Sequence, residues 1–360
     1  MLRMAEPLIH HRSAEFRAIA ARVNESLRYL FQTSAPVVTL TCSGTGGMEA
    51  TFVSLFSPGD TVIAVNGGKF GARWVTVPRA FGLRAVEVRT PWGEAATPDD
   101  LLPVLRANPG ARAVYLTHSE TSTGTALDLR ALARAVREHS GALVCVDGIS
   151  SVGALELRCD DWGVDVCVTG SQKGLMLPPG LAFVAIGERA AAAIARATVP
   201  RFTLDLGAAL RAHASADTPW TPAVQLVRGA DVALAMIREE GIVQVWERHR
   251  RLARAFRAGA GALGLRLFSA SPSDALTALW IPEGVTWEAL RGALREGSGL
   301  TVAGGQEDYA GKIFRVAHCG YCDEMDVITA VAALERALAA CGVSATPGAG
   351  VAAAGLAFGR

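Results

Sequence analysis

Lys173 stands where a short β-branched run, Val164 to Thr169, gives way to a loop, within the stretch Gly170-Ser171-Gln172-Lys173-Gly174. A turn through Pro178-Pro179-Gly180 then opens a second apolar run, Leu181 to Ile186, so the lysine sits at a strand end. In an α/β sheet, ligands collect beyond the carboxyl ends of the strands, and an amine placed there points toward that crevice. The chain holds only three lysines, Lys69, Lys173 and Lys312, beside abundant arginine. Arginine supplies surface charge but stays protonated. A desolvated lysine amine can lose its proton and form an imine with a carbonyl. The bland alternative is an ordinary half-exposed lysine.

Four further groups could join it. Cys42-Ser43-Gly44-Thr45-Gly46-Gly47 is a glycine-rich turn between a strand, Val37 to Thr41, and a helix, Met48 to Phe56. Free backbone N–H groups and hydroxyls there make an anion site, or else a plain tight turn. It is neither a Walker loop nor the dinucleotide fingerprint. Phe70, between glycines after the strand Thr61 to Val65, can stack on a flat ligand or pack in the core. His118-Ser119-Glu120-Thr121-Ser122-Thr123-Gly124 follows the strand Ala113 to Thr117 and consists of hydrogen-bonding groups. Asp147 ends the strand Ala142 to Val146, where a carboxylate needs a cation or several hydrogen bonds. A helix cap or an arginine ion pair would satisfy it equally.

The elements that must position these residues alternate. An amphipathic helix carries Phe16, Ile19, Val23, Leu27 and Leu30 at helical spacing. Strands at 84–89, 113–117, 142–146 and 164–169 are separated by helices starting near Thr97 and Leu129. This pattern predicts a mostly parallel sheet covered on both faces, an α/β class. From Ala223 to about Leu263 the pattern is helical and breaks at Glu240-Gly241. Strands near 265–269, 275–281, 299–303 and 313–317 with helices near 286–295 and 323–340 complete a smaller α+β unit. The expected domains are 1–240, 241–345, and a loosely held Ala/Gly-rich tail over 346–360.

Composition excludes several classes. A net charge of +1 leaves no footprint for nucleic acid or an anionic membrane. No leader segment and no apolar run of membrane-spanning length is visible, so a soluble cytoplasmic protein is expected. Seven scattered cysteines fit a reducing compartment, several of them inside apolar runs. Cys319 and Cys322 form a lone Cys-x-x-Cys, and no metal site is expected there.

An anion turn, a stacking aromatic, a hydroxyl-rich loop, a strand-end Asp and a strand-end Lys together are what pyridoxal 5'-phosphate requires. Its phosphate needs a helix start, its ring a flat partner, its nitrogen a carboxylate and its aldehyde a lysine. On Ser171-Gln172-Lys173-Gly174 with Pro178-Pro179-Gly180, on Ser43-Gly44-Thr45-Gly46-Gly47-Met48-Glu49-Ala50, and on Phe314-Arg315-Val316 followed by Gly320-Tyr321, the chain resembles the class V aminotransferases. The nearest branch is the alanine–glyoxylate and serine–glyoxylate (serine–pyruvate) aminotransferases, and the resemblance covers nearly the whole chain.

That resemblance implies fold type I of the pyridoxal-phosphate-dependent transferases: a large domain on a mostly parallel seven-stranded sheet, a smaller C-terminal α+β domain, and a homodimer with shared active sites. It implies that Lys173 holds the cofactor covalently and moves the substrate proton, and that Asp147 pairs with the ring nitrogen. It places Phe70 as the stacking aromatic, often Trp in the family, and Thr121 at the phenolic oxygen. Thr45, Gly46, Gly47 and Gln172 would hold the phosphate, with Thr221 from the neighbouring subunit, and Arg315 would grip the substrate carboxylate. Relatives carry a Pro-Gly-Pro-rich segment upstream of the Leu8-Ile9-His10-His11-Arg12 region, near the substrate; the sequence here starts just short of it.

The expected substrates are small amino acids such as alanine or serine, with glyoxylate or pyruvate as the 2-oxo acid acceptor. A cysteine desulfurase-like lyase is the alternative on the same fold, but Gln172 stands where that group has His. A partner subunit of a soluble hydrogenase is the alternative outside catalysis. A Rossmann nucleotide-binding protein fails for want of a fingerprint with an acidic ribose partner.

Overall fold

The computed structural model describes residues 2–359; Met1 and Arg360, the outer limits of the expected first domain and tail, lie outside the described residues. Seven strands form one sheet: β1 Val37–Leu40, β2 Thr61–Asn66, β3 Arg84–Arg89, β4 Ala113–Thr117, β5 Leu143–Asp147, β6 Val166–Gly170 and β7 Ala182–Ile186, in the order β1-β7-β6-β5-β4-β2-β3. Neighbours from β3 across to β6 are parallel, and β7 runs antiparallel to both β6 and β1. Strands β4, β5 and β6 are buried at every residue. Both faces are therefore covered, which is why these strands read as unbroken apolar runs.

Alternate residues of each strand feed two cores. Ile63, Val65 and Val114 belong to one core together with Phe16, Ile19, Val23, Leu27 and Leu30 of α1, Ala14–Phe31. Val62, Ala64 and Tyr115 face α2, Gly44–Leu55, and α3, Lys69–Ala80, with Met48, Phe52 and Trp74. Each large side chain fully withdrawn from water is worth about 1.5–3 kcal/mol. Ser13 caps α1 by accepting a hydrogen bond from the N–H of Phe16.

The glycine-rich segment is not a turn ahead of a helix but the first turn of α2 itself, capped by Ser43, whose Oγ accepts from Gly46 N. Gly47 lets that turn lie on the sheet: a Cβ there would sit 2.8 Å from Val168 Cγ1 and 2.9 Å from Ala182 Cβ. Helix α3 likewise begins inside the expected loop over Asn66–Gly71. Ser119–Glu120 pairs with Thr125–Ala126 as a two-stranded hairpin beyond the end of β4.

Helices Val224–Glu240 and Ile242–Ala262 meet at Gly241, whose φ of 88° interrupts the helical path. A second sheet follows, made of β8 Leu276–Trp280, β9 Ala303–Gly304 and β10 Ile313–Ala317 in the order β8-β10-β9. The strand expected at 265–269 is reduced to a single bridge, Leu267 to Leu279, and that at 299–303 to two residues. The tail expected to be loose is a helix, Ala349–Phe358, with Gly350 pressed on Leu263. Small residues allow its backbone to approach helix Ile242–Ala262 closely, a contact that carries no hydrophobic periodicity. Among the described residues, no helix is long and apolar enough to cross a membrane.

Candidate active site

The parallel register sets three strand ends side by side: Thr117 pairs with Asp147 between β4 and β5, and Asp147 pairs with Val168 between β5 and β6. Beyond them opens a cleft of about 160 Å³ whose lining includes Thr45, Phe70, Thr121, Asp147, Gln172 and Lys173. The predicted lysine, carboxylate, aromatic and hydroxyl groups thus come together. Gly46 and Gly47 lie one step behind, with their N–H groups given to Ser43 Oγ and the Ser43 carbonyl. Thr221 is exposed, in the turn before helix Val224–Glu240, and does not line this cleft.

Asp147 is 5% exposed. Its Oδ2 accepts from Trp74 Nε1 at 3.0 Å and its Oδ1 from Ile149 N at 3.0 Å. Trp74 Nε1 also donates to Thr117 Oγ1 at 3.0 Å. Burial outweighs these hydrogen bonds and pushes the carboxyl up to about 7. Among the described residues no guanidinium pairs with it, so a cationic group entering the cleft would find a carboxylate without a counter-ion.

The lysine loop is fastened by Ser171, which is fully buried. Its N–H donates to the Leu181 carbonyl, its carbonyl accepts from Leu177 N, and its hydroxyl donates to the Pro178 carbonyl at 2.7 Å. Leu181 N returns a hydrogen bond to that hydroxyl at 3.2 Å. Met176 N closes a turn on the Lys173 carbonyl, and Met176 itself holds φ at 62°. Lys173 is therefore presented from a fixed turn, not from a free loop.

Phe70 is aimed by a carboxylate distant in sequence. The start of α3 has no cap of its own, and Glu120 supplies one: its Oε2 accepts from Phe70 N at 3.0 Å and Gly71 N at 2.8 Å, while its Oε1 holds Ser122. A negative group at a helix N-terminus is favoured by the free N–H groups and the helix dipole. Gly68 makes room for it, since a Cβ there would lie 2.5 Å from Glu120 Cγ. Burial still raises the Glu120 carboxyl above its ordinary range.

Gln172 folds back over Gly170, whose missing Cβ would lie 2.9 Å from Gln172 Oε1 and 3.6 Å from Gly44 N. Gln172 and Gly44, in the first turn of α2, line the same cleft. Arg315 reaches across from β10 of the second sheet. It donates through Nη1 to the Thr121 carbonyl at 2.7 Å and through Nε and Nη2 to the Gly304 carbonyl at 3.0 and 2.9 Å. It is thus tied to the Thr121 carbonyl and, unlike Thr121, does not line the cleft.

Ser171, Trp74 and Glu120 were not singled out from the sequence. Trp74 follows Phe70 by four residues on one helix, a spacing that could have signalled a shared face; the other two depend on contacts between distant segments. The donor set fits pyridoxal phosphate: a carboxylate free to pair with the ring nitrogen, a lysine in the same cleft, a polar cradle at the start of α2 and an aromatic aimed into the space between.

The family model described as Aminotransferase class-V matches residues 4–313. The chain is 44% identical to the soluble hydrogenase small subunit of a Synechococcus species, over 98% of this chain and 93% of the relative. It is 37% identical to the L-aspartate–glyoxylate aminotransferase of Paracoccus denitrificans, over 97% and 90% of the two chains. It is 34% identical to the serine–glyoxylate aminotransferase of Methylorubrum extorquens, over 96% and 89%. Among solved structures, the pyridoxamine–pyruvate aminotransferase from Mesorhizobium loti superposes with a TM-score of 0.94 at 30% identity, covering 99% of this chain and 93% of that one.

Proposed function

The chain belongs to the class V aminotransferases, and from that premise we propose that it passes the amino group of a small amino acid, alanine or serine, to glyoxylate or pyruvate in a ping-pong cycle. Pyridoxal phosphate is its cofactor. When bound, it supplies the electron sink and the carbonyl through which an amino group is carried.

The chain's own residues do the rest. Lys173 holds the cofactor and, once released by the incoming amino acid, its amine takes the proton from the substrate α-carbon and returns it on the far side of the transfer. Asp147 would keep a proton on the ring nitrogen, which leaves the ring able to take up negative charge, so it would act on rate more than on binding. Phe70 presses on the ring face, and Thr121 hydrogen-bonds the phenolic oxygen. Thr45, Gly46, Gly47 and Gln172 hold the phosphate, which requires the Gly46 and Gly47 N–H groups to be shared with or released from Ser43. Arg315 turns its planar fork to the carboxylate that amino acid and 2-oxo acid have in common. The exposed position of Thr221 suits a homodimer in which it completes the cleft of a second copy.

The observation that carries this reading is Asp147 held by Trp74 in the same cleft as Lys173. The test is the visible absorbance of the purified protein with added pyridoxal phosphate. The expected result is a yellow band that alanine or serine bleaches and glyoxylate or pyruvate restores, and that Lys173→Ala abolishes while the fold persists. A second reading, a partner subunit of a soluble hydrogenase, is supported by the 44% identical relative. Failure of the wild-type protein to develop any band would put that reading first.

A further inference from the structure

Arg73 is a charged group in the cleft to which none of the roles above gives a task. It lines the same space as Lys173 and Asp147. Among the described residues its one hydrogen bond runs from Nη1 to Thr45 Oγ1, at 3.3 Å. Its guanidinium carbon lies 4.9 Å from the centre of the Phe70 ring, as the three-residue spacing along α3 dictates. Among the described residues no carboxylate pairs with it, and its charge adds to the field that favours the ionised form of Asp147.

The phosphate cradle, Thr45, Gly46, Gly47, Gln172 and Thr221, is made of neutral donors. A phosphate monoester carries about −1.5 to −2 charges near pH 7, and half-buried charge of that size is expensive unless a cation meets it. We infer that Arg73 is the cationic arm of this cradle, binding the cofactor's phosphate beside the first turn of α2; the inference rests on the pyridoxal phosphate reading of the cleft.

The shape of the cofactor decides between phosphate and substrate. Its aldehyde stands opposite its ring nitrogen, so Lys173 and Asp147 mark the two ends of the ring. The phosphate arm leaves one edge and the phenolic oxygen the other, which Thr121 serves. Arg73 touches Thr45 at the start of α2, which puts it on the phosphate edge. The donor's side chain projects from the aldehyde end, away from it. Among the described residues the cations lining the cleft are Arg73 and Lys173; with one engaged by phosphate and the other holding the cofactor, none is left for a distal carboxylate, which favours donors with neutral side chains.

The test is cofactor affinity, measured on the full-length apoprotein by quenching of tryptophan fluorescence, with pyridoxal phosphate and with pyridoxal, which lacks the phosphate. For Arg73→Gln the expected result is a loss of pyridoxal phosphate affinity on the order of 10- to 100-fold, the value of a charged hydrogen-bonded contact. Pyridoxal affinity should stay within about twofold, and Arg73→Lys should recover part of the loss because the point charge remains. Equal losses for both ligands, or no loss for pyridoxal phosphate, would overturn the inference. So would an unchanged cofactor affinity with aspartate turnover alone impaired, which would make Arg73 a reader of substrate. A wild-type protein that binds neither ligand would overturn the cofactor reading itself, a result distinct from all of these.

Discussion

The indole N–H of Trp74 is divided between Asp147 Oδ2 and Thr117 Oγ1, at 3.0 Å to each. A donor on α3 thereby ties the ends of β4 and β5 together and leaves the Asp147 carboxylate with two hydrogen bonds and no counter-ion. This arrangement sets the first expectation.

Without cofactor, Asp147 titrates near about 7 instead of the ordinary 3.8. A carboxyl raised on folding contributes stability that is complete below its unfolded pKa and is lost as pH climbs through the folded one. Replacing Asp147 with Asn should therefore raise the melting temperature of the apoprotein relative to wild type by an amount that grows from about pH 4 to about 7 and then levels. Its ceiling is a few kcal/mol, at about 1.4 kcal/mol per pKa unit. Burial holds His118 and His249 down to about 4 and His318 to about 3. They destabilise both proteins on the acid side and cancel in the difference. A difference that does not vary with pH would mean that Asp147 is not raised.

Arg315→Lys keeps a positive charge but loses the planar fork. The KM for amino donors should rise on the order of tenfold or more while kcat changes less, because the lost contact is made to substrate and transition state alike. Thermal denaturation of the variant must be run beside the kinetics, since the same side chain also holds the Thr121 and Gly304 carbonyls. Unchanged half-reaction kinetics with every donor would remove Arg315 from the site.

Gly47→Ala adds one methyl where 2.8 Å separates it from Val168 Cγ1 and 2.9 Å from Ala182 Cβ. Both neighbours sit on buried strands and cannot give way cheaply. A loss of about 1–3 kcal/mol in denaturant unfolding is expected, with weaker retention of pyridoxal phosphate because the start of α2 is lifted from the sheet. Wild-type stability would show that α2 has slack.

Ser171→Ala removes a hydroxyl that joins the Pro178 carbonyl to Leu181 N inside the fold. The expected cost is about 1–3 kcal/mol for the polar groups left without partners, together with a fall in kcat larger than any change in KM, since the position of Lys173 is what degrades. A variant that loses stability but keeps full kcat would show that the loop holds its shape by other means.

Much of this site was visible in the chain before it was folded. Lys173 and Asp147 could be found because each ends an apolar strand, and in a parallel sheet strand ends converge on one edge. The Ser43–Gly47 segment could be placed between a strand and a helix because Gly and Ser mark such junctions, though not as the first turn of the helix itself. Glu120 could not: a lone glutamate in a polar loop gives no sign that the N–H groups of Phe70 and Gly71, 50 and 49 positions away, await it. Nor could the closing helix Ala349–Phe358 be read, because alanine and glycine pack by backbone proximity and leave no apolar stripe. The strand expected at 265–269 failed for another reason: Leu265 enters the small core while Leu267 stays exposed, and a single bridge to Leu279 stands in place of a strand.

The guanidinium of Arg315 has a consequence beyond recognition. Three of its N–H groups hold two carbonyls, that of Thr121 beyond the end of β4 and that of Gly304 on the small sheet. In mechanical terms it is a rivet between the two sheets. On the substrate role proposed for it, each arriving carboxylate would compete with the joint it enters, so occupancy would be reported as slack or tension between the sheets, and each departing product would let the rivet close again.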